Sequence, residues 1–247
     1  MTGLLYKEFL QNKQQLFWLG LTAALMACIP IMMVFSPESK DSFGSALSGL
    51  STIGYFCIVF YIANAFQINY ISSDESKRWS SFVISSPKLG TGLVYTKYVF
   101  IFLMTMLVLI WCFFFQQIIA TITGTATSVY LVIYLLFFGN LLLSAIELPF
   151  IFRFGSALGE KIKAGIFIGV IFLVIVYLLF GDLSIFGSAD EFYAKCFQFI
   201  EQIRNGELPD GIYLFLGLFP IVSFGAYIGS YFLSCKWYLK GVAHYEK

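Results

Sequence analysis

One carboxylate, Glu147, stands inside a long apolar run of this chain, six residues before Arg153. At about 1.5 Å per helical residue it sits roughly 9 Å deeper than that arginine. An ionisable group at such depth marks a functional site by default. Two readings fit it: a carboxylate that takes part in transport, or the partner of Arg153 or Lys161 near the inner interface. Polar amides accompany it, with Asn64, Gln67 and Asn69 in one apolar run and Gln116 and Gln117 in the next. Within a membrane such side chains bond helix to helix, or they line a polar path. The sole histidine, His244, lies close to the last residue. That position leaves no buried histidine to act as base or ligand, which removes Ser-His intramembrane proteolysis, histidine-dependent acyl transfer and His-based metal chemistry. Neither a Gly-x4-Gly-Lys-Ser/Thr nor a Gly-x-Gly-x-x-Gly phosphate loop occurs. The chain is therefore expected to bind no cofactor itself and to be no enzyme.

The elements that must hold these groups are set by composition. Of 247 residues, 59% are hydrophobic and only 12% charged, about half the charged share of a soluble domain. Runs of about 20 apolar residues cross ~30 Å of hydrocarbon as helices, and these lack the two-residue alternation of a barrel. Six such runs are expected to span the membrane, over about 16–35, 47–70, 95–122, 129–152, 164–181 and 212–235. The fold class is an all-α membrane protein, one transmembrane domain of six helices surrounded by lipid. A formal net charge of +1 gives no sign of a nucleic-acid partner.

Lys and Arg fix the expected orientation. The N-terminus, the 71–97 and 153–163 loops and the C-terminus carry 12 of the 15, and the three opposite loops carry only Lys40, Lys195 and Arg204. Both termini are thus expected in the cytoplasm of a multi-pass plasma-membrane protein. Gly165-x3-Gly169 and Gly225-x3-Gly229 read as places of close helix packing.

Three extramembrane elements complete the expectation. The first fifteen residues form an interfacial elbow helix, with Leu4, Leu5 and Phe9 on one face and Lys7, Glu8, Gln11 and Asn12 on another. The outer loop 182–211 holds a short amphipathic helix, opened by the capping-box spacing of Ser188 and Glu191. Residues 72–87 form a cytoplasmic helix of their own: Ser72 and Glu75 have capping-box spacing, Trp79, Phe82 and Val83 recur at helical intervals, and Pro87 ends it.

That island resembles the corresponding loop of the type-2 ABC exporter permeases of bacteria. The acidic pair Asp74-Glu75, basic Lys77 and Arg78, Trp79, the Ser86-Pro87 stop and Thr96-Lys97-Tyr98 opening the next span carry the likeness. Leu148-Pro149, Arg153-Phe-Gly155 and Glu160-Lys161 resemble the family's later cytoplasmic loop, and Tyr6-Lys7-Glu8-Phe9 its opening. Within that family the chain is similar to small permeases that export amphipathic peptides such as phenol-soluble modulins.

The resemblance implies a permease dimer, of identical or paralogous copies, driven by a separate cytoplasmic ATPase that binds ATP and Mg. The ATPase would grip residues 73–83 as a coupling helix, through Asp74, Glu75, Lys77, Arg78, Trp79, Phe82 and Val83. Arg153, Gly155, Glu160 and Lys161 would form a second cytoplasmic contact, and Asn64, Gln67 and Glu147 would face the substrate path. The expected cargo is an amphipathic or hydrophobic peptide, a toxin or antimicrobial, moved out of the cell. Two alternatives stand beside it: a six-span substrate-binding membrane component, and a secondary transporter using Glu147.

Overall fold

A computed structural model of the chain describes residues 2–35, 42–76, 89–123, 129–156 and 210–245, with the pairs 161–162, 164–165, 168–169, 172–173 and 176–177. Helices are α1 (Thr2–Met26), α2 (Cys28–Phe35), α3 (Ser42–Ser76), α4 (Leu89–Thr123), α5 (Tyr130–Phe154) and α6 (Asp210–Tyr245). No strand occurs among the described residues. The reason is solvent: hydrocarbon cannot satisfy a free backbone N–H or C=O, and a helix satisfies both within one segment.

Five helical stretches are long and apolar enough to cross a membrane: Leu5–Phe35, Gly49–Gln67, Gly92–Ile122, Tyr130–Phe154 and Tyr213–Tyr238. They match five of the six expected runs. The sixth, 164–181, falls largely outside the described residues, as does the outer helix expected within 182–211. The chain is a multi-pass membrane protein.

Proline and glycine set the breaks. Pro30 has no N–H to give to the carbonyl of Met26, and its ring crowds that carbonyl; α1 accordingly ends at Met26 and α2 resumes at Cys28. Ala27 bridges them, donating to Ala23 O at 3.1 Å and accepting from Ile31 N at 3.4 Å. At the end of α5, Gly155 takes φ 89°, ψ 165° while its N–H closes the last turn on Ile151 O at 2.8 Å. A side chain there would be strained, so the glycine is what lets the chain turn away from α5.

The N-terminal expectation needs correction. No separate elbow helix covers the first fifteen residues, because α1 runs unbroken from Thr2. Its polar face also turns the other way: Glu8 and Asn12 are buried, while Tyr6, Phe9, Leu10, Phe17 and Trp18 are exposed. Against lipid an apolar face loses nothing by exposure, whereas a carboxylate or amide gains from facing the bundle. A second correction concerns the glycine pairs. Among the described residues, Gly165, Gly169, Gly225 and Gly229 have no neighbour within 4 Å of where a Cβ would stand, so none marks a close helix approach among them.

Helices α3, α4 and α5 form the centre of the bundle, with α1–α2 and α6 on its flanks. Within an 18-residue apolar stretch of each, the central spans bury between 39% and 44% of the residues and the flanking ones 17%. Phe56, Ile101, Cys112, Ile133 and Leu141 are wholly enclosed at this centre. Because lipid tails are as apolar as these side chains, tight packing and interhelical hydrogen bonds do the holding here rather than hydrophobic transfer.

Candidate functional site

A seam of polar side chains runs through the middle of this apolar bundle, and Asn64 and Gln67 are two of its members. On α5, Asn140, Ser144 and Glu147 recur at i, i+4 and i+7, which places them on one face. On α3, Asn64 and Gln67 stand three residues apart and meet that face. Asn64 Nδ2 donates to Asn140 Oδ1 at 2.8 Å, and Ser144 Oγ donates to Gln67 Oε1 at 3.3 Å. Both pairings ascend together in number, so α3 and α5 run parallel. The Gln67 amide is shared with α4, since its Nε2 donates to Thr105 Oγ1 at 3.2 Å while Thr105 donates to Ile101 O at 2.9 Å. Asn64, Gln67, Thr105, Asn140, Ser144 and Glu147 are all buried.

Charge is buried toward the end of the same helices that adjoins residues 77–88. Lys97 is only 2% exposed, with its ammonium 4.0 Å from the centre of the Tyr70 ring. That ring lies against Phe100 at 4.6 Å, and Phe100 against Phe9 of α1 at 5.1 Å. Glu8, 1% exposed, sits beside Lys7 at 3.9 Å and offers its backbone carbonyl to Asn12 Nδ2 at 2.8 Å. Asn12 and Gln15 then border a narrow crevice with Phe66, Gln67, Tyr70 and Met104. Lys97 thus belongs to the bundle interior, although the charge pattern counts it with the cytoplasmic loop.

A second polar cluster binds α4 to α6. Tyr98 OH is 3.0 Å from Ser230 Oγ and 2.7 Å from Ser234 Oγ, and Tyr227 OH donates to Tyr98 O at 2.8 Å. Farther out, Trp111 Nε1 donates to Tyr55 OH at 2.8 Å, and Tyr55 OH donates to Ala23 O at 3.2 Å, tying α4, α3 and α1.

The sequence-derived site residues separate into three groups. Asn64, Gln67 and Glu147 do come together in one seam. Gln116 is buried in α4, while Gln117 is exposed and donates to Tyr130 OH at 2.8 Å; the side chain of Asn69 lies outside the described residues. Near the end of α5, Arg153 is exposed, its guanidinium 4.8 Å from the Trp237 ring and 5.0 Å from Phe154. Lys161 is exposed, Gly155 ends α5, and Glu160 lies outside the described residues.

The island is described only at its start. Helix α3 continues through Ser76, so Ser72 and Glu75 lie within a longer helix and no new helix begins at Ser72. One reason is that α3 meets no proline or glycine between Gly54 and the island. Lys77, Arg78, Trp79, Phe82 and Val83 lie outside the described residues, as do the side chains of Asp74 and Glu75.

Residue reasoning missed Thr105, Asn140 and Ser144, the partners of the amides it named, and the Tyr98–Ser230–Ser234 cluster. A signal existed for Asn140 with Ser144 and for Ser230 with Ser234, polar residues spaced by one helical turn within an apolar span; Thr105 has no polar residue one turn away in α4. No group of three or more His, Cys, Asp or Glu side chains able to hold a metal occurs among the described residues. What the seam can do is hold helices in register through directional bonds, or let polar groups move past one another in a medium free of water.

The description "ABC-2 family transporter protein" matches residues 3–239, nearly the whole chain. No curated protein and no solved structure gives a match. Such chains are the membrane component of a transporter, a permease that works with a partner ATPase and is not itself catalytic. The chain belongs to the ABC-2 family of transporter proteins.

Proposed function

We propose that this permease exports amphipathic or hydrophobic peptides, powered by a separate ATPase that docks on residues 73–83 from the cytoplasm. The observation that carries the reading is the architecture around the island. Residues 77–88 join α3 to α4, and those two helices are fastened near that junction by buried contacts, Gln67 with Thr105 and Lys97 over Tyr70. A force applied to the island would therefore reach the polar seam rather than dissipate in a loose hairpin. Trp79 and Phe82 supply the apolar anchor a docking groove requires, and Lys77 and Arg78 steer the encounter. Two permease copies would enclose the path, with both termini on the ATPase side.

Co-purification tests it. The ATPase should come down with the chain from membranes, and a photo-cross-linker in place of Trp79 should capture it; a chain that purifies without any ATPase and captures none would end this reading. A second reading, ion-driven transport, is favoured by one feature, the burial of Glu147 to 6% exposure beside the seam. Transport that survives ATP depletion and stops when a proton gradient is dissipated would select it.

A further inference from the structure

Helices α5 and α6 run parallel, since Tyr134 meets Leu216, Phe138 meets Phe219 and Arg153 meets Trp237 in ascending order. Their spans also stop at one level, at Phe154 and at Tyr238. At that level the Arg153 guanidinium lies 4.8 Å from the Trp237 ring and 5.0 Å from the Phe154 ring. A guanidinium over aromatic faces is held by their electron density, so this side chain keeps its direction although it is exposed. Lys236, the residue before Trp237, is exposed too. No carboxylate among the described residues lies within 4.0 Å of either. Two cations without a counter-charge thus stand where the spans end.

The surface beneath them is a groove between the two helices. On α5, Ile146, Phe150 and Arg153 recur at i, i+4 and i+7 and share a face. On α6, Leu233 and Trp237 do the same at i and i+4. The Phe150 and Trp237 rings meet at 5.7 Å. One turn back from that contact stand Ile146 and Leu233, both exposed. Apolar walls therefore lead from Arg153 about 10 Å into the span at ~1.5 Å per residue, against ~15 Å for half of the hydrocarbon core. A cationic mouth over an apolar furrow of that depth matches the outline of a phospholipid.

We propose that this groove binds an anionic glycerophospholipid, of the phosphatidylglycerol class, in the leaflet on the side of residues 77–88. Lys and Arg counting makes that the inner leaflet. The stacked guanidinium gives two parallel N–H bonds to the phosphate, which a planar fork does and a point charge does not. Lys236 adds the second positive charge, and an acyl chain lies along Phe150, Ile146 and Leu233. Basic pockets between spans select anionic headgroups in this way; a zwitterionic lipid brings its own ammonium toward the two cations and gains less. A soluble acidic partner does not fit the same surface, because the apolar part of the groove lies below the level at which the spans end. The site is independent of an ATPase docking on residues 73–83.

Native mass spectrometry of the full chain, with phosphatidylglycerol or phosphatidylcholine added to the detergent, tests it. The wild type should retain one phosphatidylglycerol under conditions that strip phosphatidylcholine. Arg153→Gln should weaken phosphatidylglycerol binding roughly fivefold, the factor that goes with one basic residue at a membrane surface. Arg153→Lys keeps the charge without the fork and should recover only part of that loss. Trp237→Leu keeps both charges without the stacking ring and should weaken binding about threefold. Each variant is compared with its own phosphatidylcholine control, which separates the site from a general loss of folding. Equal retention of the two lipids by the wild type would overturn the proposal. Full recovery in Arg153→Lys together with wild-type binding in Trp237→Leu would overturn it as well, because the attraction would then be diffuse surface charge. Unchanged lipid binding in Arg153→Gln, with the ATPase no longer co-purifying, would also end it and give Arg153 to the ATPase. Selective phosphatidylglycerol binding by a chain that associates with no ATPase would keep the lipid site and end the ATPase reading.

Discussion

Asn64 and Asn140 meet as two primary amides across the contact of α3 and α5, at 2.8 Å and well inside the membrane-spanning stretches. A polar pair in that medium has no water to fall back on, and each member depends on the other. Interhelical bonds of this kind contribute about 0.6 kcal/mol on average in membranes and up to about 1.7. A double-mutant cycle of Asn64→Ala and Asn140→Ala should return a coupling of about 0.5 to 1.7 kcal/mol, with the double variant less destabilised than the sum of the singles. Reversible unfolding in mixed micelles measures it. Strict additivity would mean the bond contributes nothing to holding α3 against α5.

Tyr98 joins α4 to α6 twice over, through its hydroxyl to two serines and its backbone carbonyl to Tyr227. Tyr98→Phe should lower stability by about 1 to 2 kcal/mol. Ser230→Ala alone should cost less, because Ser234 Oγ remains at 2.7 Å. Thermal denaturation of the three proteins in one detergent ranks them, and a Ser230→Ala loss as large as that of Tyr98→Phe would contradict the shared arrangement.

Gly155 and Gly225 separate backbone need from helix packing. The first holds φ 89° at the end of α5, so Gly155→Ala should destabilise by about 1 to 3 kcal/mol. The second has open space at its Cβ position; Gly225→Ala should leave the monomer unharmed or add up to about 1 kcal/mol of helix stability. Melting temperatures of the two variants should therefore move in different directions, or one should not move at all.

Much of this architecture was legible in the chain, and each exception has its own physical cause. Long apolar runs announced the spans because hydrocarbon tolerates little else, and Asn64, Gln67 and Glu147 announced the seam because polar groups at that depth need a reason. Their partners Asn140, Ser144 and Thr105 are hard to name from the chain because small hydroxyls and a single amide barely alter the hydropathy of a span; one-turn spacing distinguishes Asn140 and Ser144, and nothing of the kind marks Thr105. The inward turn of Glu8 and Asn12 was read in reverse, since the rule that polar faces look outward belongs to water and fails in lipid. Lys97 was counted as a loop charge, yet Tyr70 gives its ammonium an aromatic face inside the bundle. Trp79 and its neighbours remain a matter of residue type and spacing.

The central claim is that an ATPase works this permease through the island, and Trp79 is where it is most exposed to test. In proteoliposomes holding the chain with its ATPase, Trp79→Ala should reduce transport-coupled ATP hydrolysis at least tenfold, the loss expected when a buried aromatic anchor worth about 2 kcal/mol or more is truncated. The variant should still elute as a folded species in detergent. Coupled hydrolysis at the wild-type rate in Trp79→Ala would contradict the account and take the island out of the mechanism.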